Sequence, residues 1–415
     1  MLIDRKQLYR FPWSKTDNPG GWIEVTDSCN LACPACYRHQ WGGHRDLDEL
    51  KEEILLCHSI TNCDYIRIAG GEPLIYPWII EVVEFITSQG LKPVLLTNGV
   101  ELTRELAVEL KRAGLAQFNI HVDSMQNRPG WEGKTEVEMN ELRQHYADLI
   151  WDVGGIQAGF NITVFPEILQ ELPDVMRWCR KNIAKVQQVR LIAVRGIPIS
   201  DSIEYMVNGQ KIDLSALAEN LTDTADPLIS SEDILESVAA QLPHFQPCAY
   251  LNGTSAPETN KLLVVINVGD QWGIYGRLGS KSVEFVQAIQ HFRHGRFASP
   301  SSHKNRGKKV FILSGIDREL RKAGRAYLKM LIRHPQRLFG ALHLQTIGIM
   351  QPGEIYKGKH NMCDGCLNMM IYKGELVNSC ILDEYRMYGG ALQQVIRSDR
   401  ADDNQDEAIP LTRAQ

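Results

Sequence analysis

A chain of 415 residues with 44% hydrophobic side chains can bury one large core or two smaller ones, and at about 100–200 residues per domain two or three domains are expected. A net charge of −5 excludes a global pull toward nucleic acid or anionic membrane; no nucleic-acid partner is expected, and any membrane contact would need a local basic patch. No apolar run follows the start MLIDRKQLYRFPW and the longest apolar stretches are strand-sized, so the expectation is a cytoplasmic protein without signal peptide or spanning helix, whose ten cysteines serve metal binding or redox chemistry rather than disulfides.

After a polar leader over 1–20, strand-like and helix-like segments alternate. WIEVTDS (22–28) has strand character, and DLDELKEEILLCHSI (46–60) sets Leu47, Leu50 and Ile54 on one helical face. YIRIAGGEP (65–73) is a strand running into glycines, WIIEVVEFITSQG (78–90) an apolar helix and KPVLLTNG (92–99) a strand. ELTRELAVELKRAG (101–114) is a helix that stops at Gly114, a good C-cap residue. QFNIHVDS (117–124), QAGFNITV (157–164) and VQQVRLIAVRG (186–196) complete six strand candidates with helical patterns between them. Repeated βα units imply parallel strands with functional loops at their C-terminal ends. Past 198 the rhythm breaks: 199–245 reads as a polar, mostly helical linker or lobe, 246–392 as a second region with strand-like KLLVVINV (261–268), and 393–415 as a polar tail.

CNLACPAC (29–36) spaces Cys29, Cys33 and Cys36 as C-x3-C-x2-C. Thiolates are soft ligands that suit iron–sulfur clusters, zinc or copper(I). Three on one loop can hold three corners of a cubane and leave the fourth iron open, whereas a fully ligated cluster carries electrons or supports the fold. The bland alternative is a zinc site completed by His39 or His44, although zinc sites favour paired C-x2-C units. GGEP (70–73), taken alone, is a turn after a strand.

Together the two motifs are similar to those of the radical S-adenosylmethionine (SAM) superfamily, whose C-x3-C-x2-C loop follows the first strand and whose GGE motif ends the second strand of a partial (β/α)6 barrel. The resemblance covers about residues 20–198. It implies an α/β fold, a partial (β/α)6 TIM-like barrel over 21–198, followed by a C-terminal α+β auxiliary-cluster domain. It implies that Cys29, Cys33 and Cys36 hold a catalytic [4Fe–4S] cluster whose open iron chelates SAM. Reduction then cleaves SAM to methionine and a 5′-deoxyadenosyl radical, which removes hydrogen from an organic substrate.

Around the cofactor the resemblance implies Gly70, Gly71, Glu72 and Pro73 at the methionine end, the glycines admitting close backbone approach. Polar residues at later strand ends follow: Thr97, Asn98, His121, Asp123, Ser124, Asn161 and Arg195. A strand-end residue can equally bond its own loop. Ala35 stands where the family usually carries an aromatic residue, so adenine needs another stacking partner, with Tyr37 as the candidate.

HNMCDGCLNMMIYKGELVNSC (360–380) sets Cys363, Cys366 and Cys380 as C-x2-C-x13-C, and a hairpin turning at Gly374 would return Cys380 to the C-x2-C knuckle. Cys248 in FQPCAYLNG is the expected fourth ligand and His360 an alternative, because Cys57, Cys63 and Cys179 read as buried structural thiols. This set resembles the auxiliary domain of the SPASM/twitch type, with fewer cysteines than the full two-cluster form, and so implies one auxiliary [4Fe–4S] cluster; structural zinc is the alternative. DRELRKAGRAYLKMLIRHPQRLFGAL (317–342) repeats Arg318, Arg321, Lys322, Arg325, Lys329, Arg333 and Arg337 around Leu320, Tyr327, Leu331 and Phe339. Such a basic amphipathic segment suits a phosphate-bearing substrate, peripheral contact with anionic lipid, or an acidic electron donor; the bland reading is a solvated helix face. IGIM (347–350) before the second set is similar to the tetraether-lipid synthase-like branch.

The leading expectation is a radical SAM enzyme fed by a flavodoxin or ferredoxin. A peptide-modifying maturase and a lipid or small-metabolite C–C bond former are the alternatives within enzymology. A non-catalytic zinc-binding protein would explain the thiols but not GGEP or the βα repeats.

Overall fold

The computed structural model describes residues 3–34, 36–200, 202–214, 217, 220–222, 228–298 and 307–396. The six expected strands are β1 (Gly20–Thr26), β2 (Tyr65–Gly70), β3 (Lys92–Thr97), β4 (Gln117–His121), β5 (Gln157–Val164) and β6 (Val186–Ala193). Each pairs in parallel with the next, in chain order. Helices α1 (Leu47–Thr61), α2 (Ile79–Ser88), α3 (Arg104–Ala113), α4 (Asn140–Val153) and α5 (Leu172–Lys181) connect them. Asp46 caps α1 by accepting from the Asp48 and Glu49 N–H groups, and Gly114 ends α3 in the left-handed region at φ 102°, as expected of a C-cap glycine.

Alternation decides what each strand shows to either side. Ile23, Val25, Ile66, Ile68, Phe118, Ile120, Phe160, Ile162, Val189 and Leu191 are buried in the main core with the helices' apolar faces. The intervening positions, Glu24, Arg67, Asn119, Asn161 and Arg190, therefore face the interior of the barrel, and all are buried. A polar interior under an apolar coat is what a barrel with an internal site requires.

The second region does not stand apart from this sheet. β7 (Ala249–Asn252), β8 (Asn260–Asp270), β9 (Gly273–Arg277) and β10 (His343–Met350) extend it: β10 runs parallel to β6, β8 antiparallel to β10, and β7 and β9 both pair with β8. Tyr9–Arg10 adds a last strand parallel to β7, and Phe11 and Trp13 stack at 3.9 Å inside a second core. The segment expected as a polar leader thus belongs to the sheet and to that core. Its pairing partners lie far along the chain, which local pattern does not reveal.

The lobe over 199–245, expected to be mostly helical, is mixed. Ile203–Val207 pairs with Gln210–Lys211 and with Gln393–Ile396, Asn220–Thr222 pairs with Gly196–Pro198, and among the described residues only α6 (Ser231–Ala239) is helical. Period-two alternation buries Tyr205 and Val207 with Leu392 and overrides the helical composition. Of the expected tail, 393–396 forms that strand and 397–415 lie outside the described residues.

Beyond α7 (Ser280–His294) and α8 (Arg318–Arg333) comes the expected hairpin, β11 (Met369–Tyr372) and β12 (Glu375–Asn378). Lys373 and Gly374 turn it with φ of 49° and 82°, a primed two-residue loop. The hairpin and α9 (Leu382–Tyr388) pack on β1, where Met370 and Leu382 meet Trp22 and Ala69. Among the described residues no helix is long and apolar enough to cross a membrane.

Candidate functional site

The loop after β1 is stitched at its root before it reaches any thiol. Thr26 Oγ1 donates to Gly43 O at 2.8 Å and accepts from Ser28 N at 3.0 Å, and Arg45 N donates to Val25 O, so residues 27–44 leave and re-enter at one point. GGEP is packed into that root. Gly71 N donates to Thr26 O and Glu72 N to Ser28 O, both at 2.8 Å. Gly70 sits at φ +134°, and a Cβ at Gly71 would stand 2.0 Å from Ser28 O. The sequence assigns these glycines to the methionine of SAM; in the structure their missing side chains let the second loop close on the backbone that carries Cys29. Gly71→Ala is expected to lower unfolding free energy by roughly 1–3 kcal/mol, measured by chemical denaturation, because a backbone carbonyl must move.

Glu72 is spent in the same brace. Its buried carboxylate accepts from Thr97 Oγ1 at 2.5 Å, Asn98 N at 2.6 Å and Leu74 N at 2.9 Å, and burial pushes its carboxyl up. Pro73 opens the buried turn Pro73–Ile75 that Glu72 caps. Asn98 reaches the cysteine loop, donating to Asn30 Oδ1 at 2.7 Å with Cys29 Sγ at 3.9 Å. The thiols form one electrostatic group: burial first, then the neighbouring thiols Cys36 and Cys29 and the Asp123 carboxylate, push Cys33 up to about 12, and burial also raises Cys29 and Cys36. Metal binding there must release protons.

Two strand ends over, Asp123 Oδ2 bonds His121 Nε2 at 2.8 Å and its Oδ1 accepts from Met125 N at 3.0 Å. Ser124 N donates to Glu136 Oε2 at 2.7 Å, and Asn161 Oδ1 accepts from Arg190 at 3.3 Å. Arg128 gathers this rim. It donates to Asn98 O at 2.6 Å and His121 O at 3.1 Å, and its charge holds Cys33 down against burial. It lies in an aperiodic loop, so no sequence pattern marked it.

Several expected residues sit elsewhere. Tyr37, the candidate for stacking adenine, packs instead against Trp22, Ala69, Met370 and Leu382, because an apolar ring is most stable in that seam. Ala35 lies outside the described residues. His44 is held at the loop root by Thr26 Oγ1 at 2.9 Å, and the backbone N–H of His39 donates to Asp383. Arg195 donates to Cys380 O and, at 3.0 Å, to Glu384, so it braces the second cysteine set rather than the first.

In that second set the Cys363 thiol hydrogen-bonds Cys366 and holds it low, at about 7, with Cys380 and the buried Lys261 among the charged neighbours of Cys363. Cys248 is not with them. Its Sγ donates to Val264 O at 3.2 Å inside the second core, where burial raises it to about 12 and its charged neighbours are Arg277 and Asp317. The strand after it is the one that arrives, since Gly253 at the end of β7 bridges Cys363. His360 bonds Glu384 Oε2 at 2.8 Å through Nε2. Cys57, Cys63 and Cys179 are fully buried.

The two sets are tied by a buried charge network that the sequence did not disclose. Arg38, two residues past Cys36, pairs with Glu24 at 2.5 Å and with Asp383, which follows Cys380 by three residues; Arg386 pairs with Asp27 at 2.8 Å. Deeper in the barrel are two guanidiniums with no carboxylate partner among the described residues. Arg190 bonds Asn161 alone; Arg67 donates to Leu367 O and Asn368 and lies 4.8 Å over the Tyr65 ring, whose hydroxyl is buried without a partner. Burial first and the Arg67 charge second pull Arg190 down to about 9. Cations at inward positions of β-branched strands are the signal for this pair in YIRIAG and QVRLIA.

Residues 23–179 match the family description "Radical SAM superfamily". A probable GTP 3′,8-cyclase of Methanocaldococcus jannaschii is 26% identical over 220 residues, 50% of this chain and 67% of that protein. The GTP 3′,8-cyclase of Streptomyces coelicolor is 34% identical over 192 residues, 42% of this chain and 54% of its own length. An AdoMet-dependent heme synthase of Nitratidesulfovibrio vulgaris is 28% identical over 182 residues, 42% of this chain and 48% of its own. Among solved structures, Streptococcus suis SuiB bound to S-adenosylmethionine matches with a TM-score of 0.35 at 14% identity, covering 43% of this chain and 41% of that one.

Proposed function

The chain belongs to the radical SAM superfamily through residues 23–179, and on that premise we propose that it cleaves SAM reductively and abstracts hydrogen from an organic substrate bearing an anionic group. Among the described residues no three metal-type side chains already converge on one point, so Cys29, Cys33 and Cys36, thiols of one braced loop that share their electrostatics, would close together on a [4Fe–4S] cluster as they bind it. When bound, that cluster supplies the electron that splits SAM into methionine and a 5′-deoxyadenosyl radical. Asn98, Asp123, Ser124 and Arg128 line the rim above the thiols and orient the cofactor's polar groups. Below them Arg67 has the Cys366 thiol as a charged neighbour, whereas the buried guanidinium of Arg190 has no carboxylate among the described residues; a buried cation is costly unless an anion joins it, and this observation carries the substrate class. A nucleotide or other phosphate ester, as in the cyclases named for GTP, or a carboxylate meets that demand.

Cys363, Cys366 and Cys380 would hold a second cluster within the region 246–392, a flavodoxin or ferredoxin would supply low-potential electrons, and the basic face at 317–342 would rest on a membrane surface. The test is anaerobic reconstitution with iron and sulfide. Wild type should bind the iron of two [4Fe–4S] clusters and form 5′-deoxyadenosine when dithionite and SAM are added. Cys33→Ala should form none, and Cys363→Ser should lose half the iron. Zinc in both sites without SAM cleavage would overturn the reading.

A further inference from the structure

The opposite end of the barrel, where the parallel strands begin, is built for different chemistry. α7 and the turn Gly307–Gly315 cross the inner face of β8 and β10 and leave between them a cavity of about 770 Å³. Its walls are mostly apolar, with Val264, Ile266 and Leu344 from the strands facing Val283, Val286 and Val310, and Ser282 and Lys309 add a hydroxyl and a cation to the lining. Gln287, which also lines it, is occupied in both directions with the Ala298 backbone. The cavity reaches Gln157 at the start of β5; the next inward layer is a polar belt in which Gln117 Nε2 bonds both Gln188 at 2.6 Å and Asn119 at 2.8 Å. The cavity therefore ends below the arginines.

Its mouth is unusual for an aqueous surface. Ile312, part of the lining, is 80% exposed, and Phe285 and Ile289 open beside it. Lys308 Nζ bonds Leu338 O and so brings Phe339, 90% exposed, next to the same rim. α8 packs on this turn through the Phe311 and Tyr327 rings, 5.5 Å apart, burying Leu320, Ala323 and Tyr327. Its outward side shows Leu328 and Ile332 among Arg325, Lys329 and Arg333, and none of these three cations has an ion pair among the described residues. Residues 307–340 carry nine Lys and Arg against two carboxylates in a chain of net charge −5.

We propose that this face seats on an anionic lipid bilayer and that the cavity takes up one acyl chain of a lipid drawn from it, a binding site at the end of the barrel away from the thiols. The site rests on the membrane contact read at 317–342 and adds the chain that enters. Protruding apolar tips ringed by unpaired cations match the acyl and headgroup layers of such a surface. An acidic redox protein would answer the cations but leave Phe339, Ile312 and Ile332 in water, and it has nothing to place in a mostly apolar cavity.

The full chain, reconstituted, is tested with sedimenting vesicles of phosphatidylcholine with or without phosphatidylserine, and with the fluorescent fatty acid cis-parinaric acid. Binding to the phosphatidylserine vesicles alone and saturable parinarate fluorescence are expected. The double variant Arg325→Glu, Lys329→Glu should weaken vesicle binding by roughly tenfold or more and leave parinarate binding unchanged. Val283→Trp, which fills the cavity, should abolish parinarate fluorescence while vesicle binding and circular dichroism persist; Val286→Phe gives a smaller fill should that variant misfold. No binding to phosphatidylserine vesicles sinks the docking face, and parinarate fluorescence unchanged by both fills sinks the cavity site. Dithionite-dependent 5′-deoxyadenosine formation, followed in parallel, should be the same in all variants, which separates this site from the chemistry at the thiols.

Discussion

Arg38→Met is expected to destabilise the fold by roughly 3–5 kcal/mol, the loss seen when one partner of a buried ion pair is removed. Its guanidinium is 3% exposed and touches Glu24, which is wholly buried, and Asp383. Methionine would fill the volume but leave both carboxylates without their main counter-charge, because Arg386 approaches Glu24 only to 3.6 Å. The deficit should depend on pH in a defined direction. Burial already raises the Glu24 and Asp383 carboxyls, and losing Arg38 raises them further. A carboxyl whose folded value stands above its unfolded one takes up its proton more readily in the folded state, so stability lost near neutral pH should return as pH falls through the raised values. Denaturation midpoints at several pH values read this; a deficit that grows on acidification would contradict it. Hydrogen exchange should also rise together in 29–40 and 382–388, since Arg38 joins them.

Arg190→Met should change stability in the opposite direction. A guanidinium held beside Arg67, with only Asn161 as partner, burdens the empty protein, so its removal is expected to raise unfolding free energy by roughly 0.5–2 kcal/mol. The same change should cost function, as truncating a buried charge that meets an oppositely charged ligand typically loses about 2–5 kcal/mol of binding. Pyrophosphate is a convenient probe: it should raise the melting temperature of the wild type and not that of Arg190→Met, while SAM cleavage without substrate continues in both. A variant less stable than wild type, or one still stabilised by pyrophosphate, would show that Arg190 is structural.

The barrel was legible because each of its signals is local. Period-two alternation in β1–β6, the Asp46 cap, the Gly114 stop and the Lys373–Gly374 turn all act over a few residues. What escaped depends on distant pairing. Nothing near KLLVVINV says that β8 joins the barrel sheet through β10, and nothing near Cys248 says that its thiol turns into the second core while Gly253 bridges Cys363. The packing role of Gly71 was hidden for the same reason: the carbonyl it accommodates belongs to Ser28, on another loop. Spacing identified the thiols and a strand end offered Arg195, whereas Arg38, Asp383 and Arg128, which also hold their loops, became visible only in three dimensions.

The Arg38–Asp383 pair also sets an order of events in time. The two residues are 345 positions apart, so a ribosome delivering the chain from its N-terminus finishes the loop of Cys29, Cys33 and Cys36 long before it makes the carboxylate that fastens it. Throughout that interval β1 lacks the hairpin and helix that cover its edge, and the three thiols stand on a loop held at its root and by Asn98 but not yet by Asp383. Nascent chains halted before residue 380 should therefore expose this loop to alkylating reagents, and full-length chains should protect it, making the last segment the latch that ends the period in which the first site is open to its metal.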